Sequence, residues 1–434
     1  MTTKTAPPRS NPALGRLIAA TGLTNLADGI AVVVWAWLGT LLTRDPLLVA
    51  LMPMALRLPW FLLALPAGIV TDRVDRRRLI VVMDLCRCGG FVAVAMLVWT
   101  AVPLPPAPAS GLTSPGLFAA LLVCAFVIGA AEVFRDNAAQ TILPTIVSHD
   151  VLEQANGRLL SVELIGNALL GPALGAFLIA AALPLPFAVN AVAFGLSAVF
   201  MIGLAGRFRP VRATRAGIAQ ELREGLDVLR GAPLLRLLAW ITGIWNLLHQ
   251  MVVIALVLHV QENLGLGARA YGLILAAGAV GGILGGIFAA RVVRAMGPGA
   301  AARWMTLASA LAFAAIAMAP NAVVLALVLA AFEFTGLVWN TVSVSYRQRA
   351  VPDALLGRVN SLYRMLAWGM MPLGLVLSGV VVRLVDGMAA REVALVAPFW
   401  VAAAGVAVLT ALVWRPLGRR FAAVQAQMPS RSSV

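Results

Sequence analysis

A few ionisable side chains in this sequence stand where they are expensive to keep. Asp28, Glu132, Glu333, His249, Arg57 and Arg87 each fall within a long apolar run. On insertion scales a charge at the centre of a membrane helix costs roughly 2.5–3.5 kcal/mol, which makes such residues functional candidates by default. A carboxylate in apolar surroundings can take up and release a proton, or it can pair with a cationic ligand. Asp28 is the candidate for the proton, with the imidazole of His249 tuning it or sharing the proton. The alternative for Asp28 is a hydrogen bond to a neighbouring helix and nothing more. Glu333 and Glu132 are candidates for a cationic substrate or for the proton itself. Glu132 precedes Arg135 by three residues and Asp136 by four, so a structural ion pair is the favoured reading for it. Arg57 needs a partner that the sequence does not name. Asn25 and Asn246 each stand three residues before Asp28 and His249. Trp245 and Trp339 are deep enough in their runs to line a cavity for flat, amphipathic molecules, although a tryptophan there more often packs.

A second group of charges has the opposite character. The stretch from Gly68 through Asp72, Arg73, Asp75, Arg76, Arg77 and Arg78 separates two apolar segments. So much charge cannot enter hydrocarbon, so it predicts a tight loop on a membrane surface.

These residues must be held by membrane-spanning helices. The chain has 434 residues, 61% of them hydrophobic and 12% charged, against about 25% charged in soluble domains. Mean hydropathy is +0.93. A net charge of +15 would suit nucleic acid, but the basic residues sit in loops between apolar runs, which argues against that partner. A span needs about 20 mostly apolar residues. Twelve runs qualify, starting near residues 16, 47, 79, 116, 159 and 183, then 236, 269, 303, 321, 360 and 393. With a cytoplasmic N-terminus, nearly every basic residue falls on the cytoplasmic side. The exceptions are Arg44, Arg269, Arg383 and Arg391 outside, and Arg57 and Arg87 within spans. Both termini are then cytoplasmic, and no cleavable signal segment is expected. Residues 1–205 form one six-helix unit and residues 236–434 a second with its tail. A basic linker, 206–235, joins them and carries an amphipathic helix with Ile218, Leu222, Leu226 and Leu229 on one face. Cys86, Cys88 and Cys124 read as small packing residues. No metal cluster, nucleophile constellation or phosphate loop is evident. The glycines at 278–286 read as helix-packing glycines. An enzyme is therefore not expected, and no cofactor is.

The two halves repeat. Gly22 to Asp28 matches Gly243 to His249, Gly68 to Arg73 matches Gly286 to Arg291, and Val147 to Asn156 matches Val351 to Asn360. The Pro-rich stretch 103–115 accounts for much of the change in offset. The second copy of the charged loop has Ala289 and Ala290 in place of Thr71 and Asp72, keeping Arg291, Arg294 and Arg303. In a two-fold repeat, equivalent positions such as Asp28 and His249 face each other across a cavity.

The pattern Gly68-x-x-x-Asp72-Arg73-x-x-Arg76-Arg77-Arg78, in its membrane setting, closely resembles the loop between helices two and three of the major facilitator superfamily. The resemblance implies an all-α membrane protein of twelve transmembrane helices in two six-helix, pseudo-symmetric bundles. It implies that the loop is a cytoplasmic gate latch, with Asp72 landing on the N-terminus of span eleven near Asn360 and Ser361. Arg135 is the candidate charge partner. Topology setting by the arginines alone is the plainer alternative. In span five, Gly166, Gly171, Pro172 and Gly175 resemble the signature of drug–proton antiporters, with one extra residue before Gly171 and Ala176 in place of the closing glycine. Close packing against the second half is the other reading. Along its length the chain resembles the enterobactin-exporter and macrolide-efflux branch, through Asp28-Gly29, Leu65 to Gly68, Asp84 to Arg87 and Ala155-Asn156. It departs at Phe134-Arg135-Asp136-Asn137. The expectation is a monomeric bacterial inner-membrane transporter that exports an amphipathic small molecule (a drug, secondary metabolite or siderophore), driven by the proton gradient. Nutrient uptake, facilitated diffusion and a non-transporting sensor remain as alternatives.

Overall fold

The structure, a computed structural model, describes residues 12–71, 73–147, 152–206, 208, 218–351, 359, 362–363 and 365–427. Among them are twelve helices long and apolar enough to cross a membrane. Spans one to six are Pro12–Leu42, Pro46–Thr71, Arg76–Ala101, Pro115–Ile142, Gln154–Ala181 and Leu185–Ile202. Spans seven to twelve are Pro233–Asn263, Ala268–Met296, Pro298–Ala317, Ala322–Ala350, Met365–Asp386 and Arg391–Val424. A backbone in hydrocarbon must bond to itself, and a helix does so within one segment. Local signals fix where the helices begin. Proline opens spans two, four, seven and nine, where its missing N–H costs nothing and its fixed φ suits the first turn. Asp75 caps span three by accepting from Arg78 N at 3.0 Å, and Asn321 caps span ten by accepting from Val324 N at 3.0 Å.

The chain divides into two compact units. Unit 1 holds Met1–Val34, Leu58–Pro103 and Gly116–Arg212; unit 2 holds Trp35–Arg57, Leu104–Pro115 and Ala213–Val434. Spans one and two are therefore each shared between units, and the hairpin between them belongs with the second half.

In unit 1, spans one and five cross at a line of glycines. A Cβ on Gly29 would strike the Asn167 backbone, one on Gly171 the Gly29 backbone, and one on Gly175 the Ile30 carbonyl at 2.9 Å. Span five is π-helical over Leu164–Leu170, directly before Gly171-Pro172. The span-five glycines thus pack on span one of their own unit. At the arginine-rich end, Leu17, Ile80, Ile142, Met201 and Phe208 share one buried cluster.

Unit 2 repeats the device. Gly243, the counterpart of Gly22, faces the Leu366 carbonyl, and Gly374 faces that of Leu247, so spans seven and eleven cross closely. Gly281 and Gly285 of span eight lie on the backbone of Ala330 and Phe334 in span ten, confirming packing glycines there. Tyr363, just before span eleven, ties spans seven and ten together: its hydroxyl lies 2.6 Å from that of Thr242 and 2.7 Å from that of Ser343. At the other end of this unit, the hairpin of spans one and two is clasped by charge. Arg383 donates to the buried Asp45 at 2.6 Å, Arg44 to Gln261 at 2.6 Å, and Arg391 to the Arg44 carbonyl at 2.7 Å. A further helix spans Ile218–Gly231, and its Leu229 is buried in the unit 2 core.

Candidate functional site

Unit 1 gathers the in-span charges of spans one, three and four into one network. Span three carries Asp84 and Arg87 one turn apart, so both project from one face. Arg87 donates to the Asp28 carboxylate and reaches Glu132 Oε2 at 3.5 Å. Its guanidinium also lies over the Phe194 ring, 3.9 Å from the centroid, a placement that favours a cation. Glu132 Oε1 accepts from Trp60 Nε1 at 3.2 Å. The Arg87 side chain is 1% exposed, whereas those of Asp28 and Glu132 keep 19% and 15%. The carboxylates, not the guanidinium, can be reached.

One turn further along, Asp84 is fully buried. It accepts from Ser197 Oγ at 2.7 Å and lies 3.4 Å from Arg135 Nε. Arg135 also donates to Asp136 at 3.2 Å. The network holds four carboxylates, Asp28, Glu132, Asp84 and Asp136, against two guanidiniums, Arg87 and Arg135. Full ionisation would leave a surplus of negative charge at membrane depth. Protons or a cationic substrate can close that balance.

One sequence expectation changes here. Glu132 pairs with Arg87 of span three rather than with its helix neighbour Arg135, because the buried guanidinium stands opposite it. Arg135, the expected partner of the loop, lies against Asp84 and Asp136. Asp72, Asn360 and Ser361, the two sides of the expected latch, lie outside the described residues. Of the loop arginines, Arg76 donates to the Thr141 carbonyl and Arg77 to that of Leu204, both at 2.7 Å. These are carbonyls at the C-terminal ends of spans four and six, where a cation is favoured. A Cβ on Gly68 would meet open space.

Unit 2 places a different chemistry at the position equivalent to Asp28. His249 Nε2 lies 3.8 Å from Glu333 Oε1, beyond a hydrogen bond. Trp245, one turn before His249, stacks on it at 4.9 Å and on Phe332 at 5.6 Å, while Phe332 meets Phe313 at 4.8 Å. Gly278 and Gly282 of span eight lie beside Glu333: a Cβ there would sit in ordinary contact, 3.5 Å and 3.7 Å from its side chain. The two asparagines do not join these groups. Asn25 donates to Thr21 O of its own helix at 2.9 Å, and Asn246 to Ala367 O of span eleven at 2.9 Å. Trp339 is buried in the unit 2 core with Leu238, Val342 and Tyr363, where it packs rather than lining a cavity. Sequence reasoning counts Arg87 among the in-span charges without giving it a role, passes over Asp84 as a site residue and misses Trp60 and Phe332. The available signal is Asp84-x-x-Arg87, two charges one turn apart in an apolar run.

Residues 2–418 match the family described as transmembrane secretion effector. A multidrug efflux pump Tap of Mycolicibacterium fortuitum is 27% identical over 370 residues, covering 81% of this chain and 85% of that one. The pump of the same name from Mycobacterium tuberculosis H37Rv is 26% identical over 379 residues, covering 84% and 85%. Among solved structures, a bacterial homologue of the iron transporter ferroportin in the inward-facing state aligns over 94% of this chain and 98% of its own, with TM-score 0.73 and 16% identity. The nucleoside transporter NupG aligns over 93% and 98%, with TM-score 0.69 and 12% identity. At such identities the structures speak for the fold.

Proposed function

Because this chain belongs to the transmembrane secretion effector family and has the major facilitator fold, we propose that it exports amphipathic small molecules across the bacterial plasma membrane in exchange for protons. Membrane transport of a small molecule is what the family does. Export direction, the proton and the substrate class are the steps added here. The names of the mycobacterial relatives support export of drug-like molecules. The distribution of basic residues supports cytoplasmic termini. The Gly68–Arg77 loop with Asp72 then faces the cytoplasm as the gate.

One observation carries the proton reading: Asp28 and Glu132 compete for the single guanidinium of Arg87. Ionised, the three groups sum to one negative charge. One proton on either carboxylate neutralises them and lets Arg87 turn wholly to the other. A cationic substrate bound beside the carboxylates neutralises them equally well. Proton and substrate therefore exclude each other, and mutual exclusion at one site is what obligatory exchange requires. Asp28, on the span that packs closest to the span-five glycines, is assigned as the carrier. Glu132 is its competitor. His249 stands at the equivalent place in the repeat.

Inverted membrane vesicles, acidified inside and followed with a pH-sensitive dye, test this. Addition of amphipathic cations, macrolides or siderophores should release protons from wild-type vesicles. Asp28→Asn should abolish the release while leaving insertion intact. Normal uphill transport by Asp28→Asn would overturn the assignment. Dissipation of the substrate gradient without any proton flux in wild type would favour facilitated diffusion.

A further inference from the structure

Unit 2 holds a carboxylate that the exchange scheme does not use. Glu333 stands in the middle of span ten, and its side chain is 33% exposed. Among the described residues neither Glu333, His249 nor the Trp245 indole N–H has a hydrogen-bond partner. Two polar groups that meet at membrane depth without a hydrogen bond are costly unless something else satisfies them. No guanidinium among the described residues approaches Glu333 as Arg87 approaches Asp28. Its charge-capable neighbour is the His249 imidazole at 3.8 Å, and the Trp245 ring stacks on that imidazole.

The geometry points to a binding subsite for a monovalent organic cation, with Glu333 as counter-charge and His249 and Trp245 as an aromatic wall backed by the buried Phe332. It rests on the reading of the chain as a transporter of amphipathic molecules and names the charge of that substrate. A carboxylate beside aromatic faces suits a delocalised or quaternary cation, because the ring quadrupoles and the anion attract the same sign. A metal ion is poorly served here: no group of three His, Cys, Asp or Glu that could hold one occurs among the described residues. An anion would meet Glu333 head-on. Gly278 and Gly282 of span eight line the stem of Glu333, where a Cβ would come into ordinary contact at 3.5 Å and 3.7 Å, and Gly336 lies beside Trp245, whose ring is 3.8 Å from the place a Cβ would take.

The test is binding to purified protein in lipid nanodiscs with no gradient, so direction and coupling play no part. Two probes share one shape and differ in sign, tetraphenylphosphonium and tetraphenylborate. Triphenylphosphine oxide is the uncharged control. Wild type should bind the phosphonium and reject the borate. Glu333→Gln should weaken phosphonium binding by about tenfold, the size of one lost charge-assisted contact, and leave the phosphine oxide unchanged. Trp245→Leu should weaken the phosphonium by a smaller factor. Equal binding of both ions, no phosphonium binding by wild type, or unchanged affinity in Glu333→Gln would overturn the subsite. Should Glu333→Gln fail to fold, Glu333→Asp and Trp245→Leu decide the question by the same comparison. Phosphonium binding that depends on Glu333, together with no proton exchange in vesicles, would leave this site standing and remove the antiport reading. Proton exchange with binding indifferent to Glu333 would do the reverse.

Discussion

Asp28 and His249 occupy equivalent places in the two halves, 221 residues apart, yet they live in different chemistry. Around Asp28 the structure supplies a buried guanidinium, a second carboxylate and a further Asp–Arg–Asp group. Around His249 it supplies aromatic rings and a carboxylate, with no arginine among the described residues. A duplicated scaffold has kept its glycine crossings in both copies and changed the polar cargo. The lesson is that close helix contacts tolerate little variation, whereas charges set between the helices can diverge.

Breaking the pairing in unit 1 should give the largest effect. Arg87→Leu strands Asp28 and Glu132 at membrane depth, and losing one partner of a buried pair costs about 3–5 kcal/mol. Melting in detergent, followed by intrinsic fluorescence, should show a large drop, and adding Asp28→Asn should recover part of it. Glu333→Gln, which strands no buried ion, should melt close to wild type. Equal losses from the two single variants would erase the contrast between the halves.

The shared glycine crossings come next. Gly171→Ala forces a methyl into the Gly29 backbone, an overpacking worth about 1–3 kcal/mol. Gly278→Ala meets only the side chains of Leu329 and Glu333, the nearest atom at 3.3 Å. It should melt nearer to wild type, and the order of the two melting temperatures is the check. The smallest expected change comes from Ser197→Ala. It removes one hydrogen bond from Asp84, worth about 1 kcal/mol, while Arg135 continues to hold that carboxylate.

The architecture is legible because spanning is a property of single segments. Apolar run lengths alone place the spans, and each expected start falls within about five residues of the observed one. The glycines at 278–286 are legible as packing residues for the same local reason. Partnerships are not. Asp28 and Arg87 are 59 residues apart and on different spans, so their meeting depends on helix rotation and depth, which hydropathy does not encode. Sequence reasoning therefore favours the neighbours within its reach, Arg135 for Glu132. Trp339 and Trp245 are indistinguishable by composition, and only packing separates the buried one from the one stacked on His249.

The Asp28–Arg87–Glu132 trio also has a history within the life of each molecule. A chain is made and inserted from its N-terminus. Asp28 must enter the bilayer with span one before Arg87 exists, and Glu132 follows 45 residues after Arg87. For that interval span one carries its acid alone, on the strength of a mean hydropathy of 1.7 over its best window. Span three then arrives as the binding partner of a helix already in place. Variants that remove Arg87 will thus be met first by the cell's insertion and quality-control machinery, and the transport cycle will see only the survivors.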